Sequence, residues 1–350
     1  MRPLPVFLVV AFGLAWVAAL PVWLAGGLAS PMTQVWGMVM MFTPSVGVLA
    51  VWLLTGRAAG SGTDAGPGVD AGTGTGPGSG YAAGAGAGPG AEAAPGRPPF
   101  RRFARETGLT LGERPGRTVL LVLLAWFGVP LLVAVSIALS AALGLVSLDL
   151  TRFSLFQQGL RAQGVQVPGG LSTVVVVQIM IAMLVGPLLN AVPALGEEWG
   201  WRGWLAPRLV AARGTVAGLA LSGVVWGLWH APLTLLGYNY PRLGPWAALY
   251  FVGFCVLAGV VFGWLRLRSG SVWPAVVAHG SVNAVTGVVL LLGDAAAPPD
   301  PVVAGFTGLA GWAVLAVTAV VLLRFFPVRA PRPPYFPVPR PEPAESPSAG

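Results

Sequence analysis

Apolar residues gather in eight long runs, near 4–28, 34–55, 118–147, 172–195, 214–236, 245–265, 272–292 and 302–326. At 1.5 Å per residue, each run is long enough as a helix to cross a hydrocarbon layer roughly 30 Å thick. The pattern predicts an all-α, polytopic transmembrane bundle of about eight helices with its site inside the bundle. Glycines and prolines within the runs are compatible with spans, because neighbouring helices re-satisfy freed backbone groups. The first run follows Arg2 and superficially resembles a signal peptide. It is long for one and many runs follow, so it reads as the first transmembrane helix.

Between the second and third runs lies a Gly/Ala/Pro/Ser tract from Ala58 to Pro99. Such a tract cannot bury a core and is expected to be disordered. The chain thus divides into two transmembrane helices (1–56), a mostly disordered loop (57–116), a six-helix transmembrane region (117–327) and a disordered Pro-rich tail (328–350).

Composition agrees with a membrane protein. Apolar residues make up 55% of the chain and charged residues 9%, against about 25% charged in typical soluble domains. The net charge of +8 raises the question of nucleic acid, but the arginines sit at the ends of apolar runs rather than in a basic domain. That placement argues against a nucleic-acid partner and for membrane orientation. Loop 57–116 carries Arg57, Arg97, Arg101, Arg102, Arg105 and Arg114, with Arg117 at its edge, and Arg2, Arg202, Arg208, Arg213, Arg266, Arg268 and Arg324 fall on the same side. The opposite loops hold only Arg152, Arg161 and Arg242. An even number of spans, with both termini cytoplasmic and the chain in the plasma membrane, satisfies every loop. Cys255 is the only cysteine, so neither an internal disulfide nor a thiolate metal cluster is available.

The candidate chemistry lies at membrane depth. Both histidines of the chain, His230 and His279, fall inside apolar runs, and the adjacent acids Glu197 and Glu198 close the fourth. Ionisable groups there cost at least about 2.5–3.5 kcal/mol each on insertion scales, so they persist where they pair, line a wet cavity or do chemistry. Glu198 and Arg202 are four residues apart and can pair along one helix face. Glu197 is turned from Glu198 by about 100° and points elsewhere, toward the bundle interior. His279 and Asn283 share a face, and Trp226 stands one turn before His230 as a wall. Trp199, Trp201 and Trp204 read first as an interfacial aromatic belt.

Three motifs in order, Glu197-Glu198-x-x-x-Arg202, Trp226-x-x-x-His230 and His279-x-x-x-Asn283, resemble those of the CAAX protease and bacteriocin-processing (CPBP, or Abi) family of intramembrane proteases. The resemblance covers a core at 172–292. Trp226 stands where the family more often shows Phe. The resemblance implies that Glu197 acts as general base on water, His230 orients and activates that water, and His279 and Asn283 stabilise the oxyanion. Glu198 and Arg202 would hold the helix end. A low-dielectric cavity makes a carboxylate a stronger base, and a donor aimed at an oxyanion contributes roughly 2.7–4 kcal/mol. The substrate implied is a membrane-associated protein or peptide, and no cofactor is required.

Two alternatives stand beside this reading. Glu197, His230 and His279 could ligate zinc, as nitrogen and carboxylate donors suit that ion, although the HExxH spacing is missing. A non-catalytic immunity or scaffold protein could use the same fold. One offset strains any convergent site: His230 falls some sixteen residues into its run and His279 seven, which separates straight helices by about 14 Å in depth.

Overall fold

The computed structural model describes residues 3–55, 99–166 and 169–328. Most of the expected disordered tract and the expected disordered tail lie outside these residues.

Every apolar run is helical. The helices are α1 (Pro3–Leu24), α2 (Met32–Met41), α3 (Thr43–Thr55), α4 (Phe100–Glu106), α5 (Pro115–Ala142), α6 (Ser154–Ala162), α7 (Leu171–Leu184) and α8 (Gly186–Glu198). A π-helical turn, Trp199–Leu205, leads into α9 (Ala206–Arg213). There follow α10 (Thr215–Trp229), α11 (Ala231–Thr234), α12 (Ala247–Ser269), α13 (Trp273–Val285), α14 (Val288–Leu292) and α15 (Leu309–Phe325).

Four of the eight runs are interrupted. Three breaks, at Phe42, Val185 and His230, are each followed within two residues by a proline: Pro44, Pro187 and Pro232. Proline has no N–H to extend the preceding helix and suits the first turn of the next. The fourth break, at Thr286 and Gly287, separates α13 from α14. Among the described residues, five segments are long and apolar enough to cross a membrane, and the pair formed by α7 and Gly186–Arg213, bent by 43°, makes a sixth. The shorter apolar helices α10 and α15 complete the set. The chain is an all-α, multi-pass membrane bundle.

The centre of the bundle is formed by α3, α8, α10, α12 and α13. Two glycines set how closely these elements approach. A Cβ on Gly200, in the π-helical turn, would lie 2.4 Å from Pro44 Cβ of α3, and one on Gly280 of α13 would lie 2.7 Å from Pro187 O of α8. No larger residue fits either crossing.

The expected aromatic belt is not one. Trp201 and Trp204 are fully buried and Trp199 nearly so. Trp204 stacks on Phe7 of α1 at 4.5 Å, Trp201 meets Trp229 edge-on at 5.8 Å, and Trp199 Nε1 donates to Thr107 Oγ1 at 2.9 Å. Sequence placed these rings at a membrane surface because they follow a long run. The continuation of α8 through the π-helical turn into α9 carries them into the core instead.

Residues 99–114 also dock on this core. Phe103 of α4 is buried against Trp52, Gly108 O accepts from Val272 N at 2.8 Å, and Leu109 O accepts from Trp273 Nε1 at 3.0 Å.

Candidate active site

The end of α8 presents two carboxylates in different directions. Glu197 Oε2 accepts from the indole N–H of Trp226, on α10, at 2.7 Å. Glu198 Oε1 accepts from Arg202 Nη1 at 2.7 Å and from His279 Nδ1, on α13, at 2.9 Å. Adjacent residues on a helix are turned by about 100°, which lets one acid serve α10 and the other α13. The pairing of Glu198 with Arg202 agrees with their spacing; its second bond, to His279, was not legible in sequence.

Arg202 ties the two sides together. Its guanidinium lies over the Trp226 ring at 4.1 Å and faces the Phe262 ring at 5.2 Å. A buried cation is favoured by an aromatic face as well as by its carboxylate. Trp226 therefore uses its edge for Glu197 and its face for Arg202. Sequence had it only as a wall beside His230.

The offset between the histidines persists in three dimensions. His230 packs edge-to-face on Phe251 at 4.9 Å and His279 stacks on Phe262 at 5.9 Å. These two phenylalanines are about three turns apart along α12. Trp226 bridges the difference, its ring lying 5.6 Å from that of His230 and 5.4 Å from that of His279. The break at His230 also matters. The ring belongs to the last turn of α10, where its Nδ1–H donates to Trp226 O at 2.9 Å.

Glu197, Trp226, His230, His279 and Asn283 all line one cavity of about 670 Å³. Its other walls come from the chain between α1 and α2, from α2 itself and from the turn at Tyr238 and Asn239. Among the described residues, Glu197 Oε1, His230 Nε2, His279 Nε2 and the Asn283 amide have no protein hydrogen-bond partner, and none of these atoms is sealed from the cavity. The polar residues Asn190, Thr33 and Gln34 share this lining. They sit at ordinary positions of apolar segments, and no spacing marks them.

Zinc fits this arrangement poorly. Nitrogen donors must lie roughly 2.0–2.1 Å from the ion, and so close to one another. Glu197, His230 and His279 do not form such a set: the two histidines pack against turns of α12 that lie about three turns apart. Among the described residues no three His, Cys, Asp or Glu side chains come together as metal ligands.

Residues 172–285 match the family described as type II CAAX prenyl endopeptidase Rce1-like. A CAAX prenyl protease 2 from Methanococcus maripaludis is 28% identical over 92 residues, covering 25% of this chain and 34% of the relative. The chain thus spans about a third of the length of that curated relative. The matched segment contains α8, the π-helical turn, α10 and α13, and with them Glu197, Glu198, Arg202, Trp226, His230, His279 and Asn283. Residues 172–285 of this chain are thus similar to the Rce1-like, type II CAAX prenyl endopeptidase family.

Proposed function

We propose that the protein is an intramembrane endopeptidase that hydrolyses peptide bonds of membrane-associated protein or peptide substrates with a water activated by Glu197. The observation that carries this reading is the state of that carboxylate: one oxygen is held by Trp226, and the other is free on the cavity wall.

The step runs as a general-base hydrolysis. Water approaches Glu197 Oε1, which takes one proton as the water oxygen bonds to the substrate carbonyl carbon. His230 donates from Nδ1 to a backbone carbonyl, so its Nε2 carries the lone pair and can accept the second water hydrogen. Charge develops on the carbonyl oxygen, where the Asn283 amide and His279 Nε2 serve as donors. For His279 to donate there while donating from Nδ1, the ring must hold two protons, and Glu198 at 2.9 Å balances that charge. As the C–N bond breaks, the proton held by Glu197 passes to the leaving nitrogen.

The protein is placed in the plasma membrane, and the arginine distribution supports an orientation with both termini cytoplasmic. The partners are membrane lipids and the peptide substrate. The test compares purified wild type and Glu197→Gln in detergent against a panel of membrane-associated peptides, with and without a chelator. Cleavage by wild type alone, indifferent to chelator, is expected. Equal cleavage by both proteins would remove Glu197 from the mechanism, and loss of cleavage with chelator would make the cluster a metal site.

A further inference from the structure

A second and larger cavity, of about 1140 Å³, lies away from the acids and histidines. It is bounded by the loop before α5, the C-terminal end of α12 and the chain just after α15. Five arginines line it (Arg105, Arg114, Arg117, Arg266 and Arg268) against a single carboxylate, Glu113. Nothing in the proposed hydrolysis uses these residues.

Arg266 is the most informative of the five. It is only 7% exposed, and its Nη2 donates to Glu106 O at 3.1 Å. Its Nε is sealed against Gly108, and its Nη1, with no protein partner among the described residues, is the donor left to the cavity. A guanidinium withdrawn from water with donors unspent is a costly group to keep unless an anion completes it. The 28-residue helix α5 begins at this cavity, at Pro115, and directs the positive end of its dipole there. Arg114 and Arg117 flank that end, and neither side chain makes a hydrogen bond within the described residues.

We propose that this cavity binds a phosphate group. One arginine fork satisfies a carboxylate, whereas several converging forks match an anion with oxygens on all sides. The cavity sits at the arginine-bearing ends of apolar helices, which is where a membrane lipid presents its phosphate. An inorganic phosphate offers the same chemistry from solution.

The experiment follows thermal unfolding of the purified full chain in neutral detergent during titration with phosphatidylglycerol, inorganic phosphate or phosphatidylcholine. It reads binding alone, so its outcome is independent of whether the protein cleaves peptides. A saturable rise in Tm is expected with phosphatidylglycerol and not with phosphatidylcholine. If inorganic phosphate gives the same saturable rise, the site takes soluble phosphate; a rise with the lipid alone assigns it to a headgroup. The double variant Arg114→Gln, Arg117→Gln should keep its Tm in the absence of ligand and bind about tenfold or more weakly. The pair Arg152→Gln, Arg161→Gln, outside this cavity, should bind as wild type does. No saturable rise with either phosphate source, an equal rise with phosphatidylcholine, or equal weakening in both variants would overturn the proposal.

Discussion

The indole N–H of Trp226 and the carboxylate of Glu197 meet at 2.7 Å, with both groups buried. The bond fixes one oxygen of the acid and leaves the other to the cavity. Phenylalanine in this position, the residue more common in the CPBP pattern, keeps an aromatic ring and loses the donor. Trp226→Phe should therefore lower kcat by about ten- to a hundredfold, the loss expected for one hydrogen bond to a charged group, with little change in KM. Steady-state kinetics on any cleaved peptide checks this. An unchanged kcat would mean that the indole only fills space.

Glu198 holds the π-helical turn through Arg202 and α13 through His279, so its loss should be felt in stability before activity. Removing one partner of a buried ion pair costs about 3–5 kcal/mol, because the other charge is left unpaired. Arg202→Ala leaves Glu198 with His279 alone, and Glu198→Gln strands Arg202 and loosens His279. Each should lower the Tm in detergent substantially. The Glu198→Gln, Arg202→Met double variant should fall by less than the sum of the singles.

Gly280 and Gly128 make a matched pair of tests. A Cβ on Gly280 would stand 2.7 Å from Pro187 O and 3.0 Å from Ala191 N, both backbone atoms that cannot swing aside. Gly280→Ala should cost about 1–3 kcal/mol and push α13 from α8, lengthening the bond between His279 and Glu198. Gly128, within α5, has open space around its would-be Cβ. Gly128→Ala should leave stability unchanged or raise it by about 0.5–1 kcal/mol. Thermal unfolding of the two variants, side by side, decides the matter.

Asp149 lies in the connection after α5, outside the spans. The Arg152 backbone N–H at 2.9 Å, with the Ser154 backbone N–H and the Thr151 hydroxyl each at 3.2 Å, holds its carboxyl well below the usual carboxylate range. A depressed folded value means that the stabilisation is fully present above the unfolded value, about 3.9, and is lost only as pH falls through the folded one. Asp149→Asn should thus lower the Tm equally at pH 6 and pH 8, and the difference from wild type should shrink in strong acid. A difference that grew on acidification would contradict the assignment.

Much of this fold was legible because apolarity is a property of single residues in long runs, and all eight runs are helical. The candidate constellation was legible for a related reason: Glu197, His230, His279 and Asn283 are costly at depth, and spacings of four residues put partners on one face. What sequence could not supply were relationships between helices. Nothing in the order of residues says that Glu198 bonds His279 as well as Arg202, or that the indole edge of Trp226 turns to Glu197. The burial of Trp201 and Trp204 depends on Phe7, nearly two hundred residues earlier. The docking of Phe103 depends likewise on Trp52, across the Gly/Ala-rich tract.

The π-helical turn at Trp199–Leu205, where Ala206 N reaches back to Trp201 O, works as a phase adjuster. It accommodates an odd residue between two stretches whose facings are set independently: α8 by the cavity, and α9 by its close packing on α10 at Gly218. Deleting any one residue from the turn would permit a regular α-helix, which is the easier structure to form. Adding a further residue, which the turn has no room to absorb, would instead rotate α8 against α9 by about 100°. With α9 held, Glu197 and Glu198 would swing off both of their partners. The turn is thus constrained in length as well as in side chain, Gly200 being fixed by Pro44 and Arg202 by Glu198.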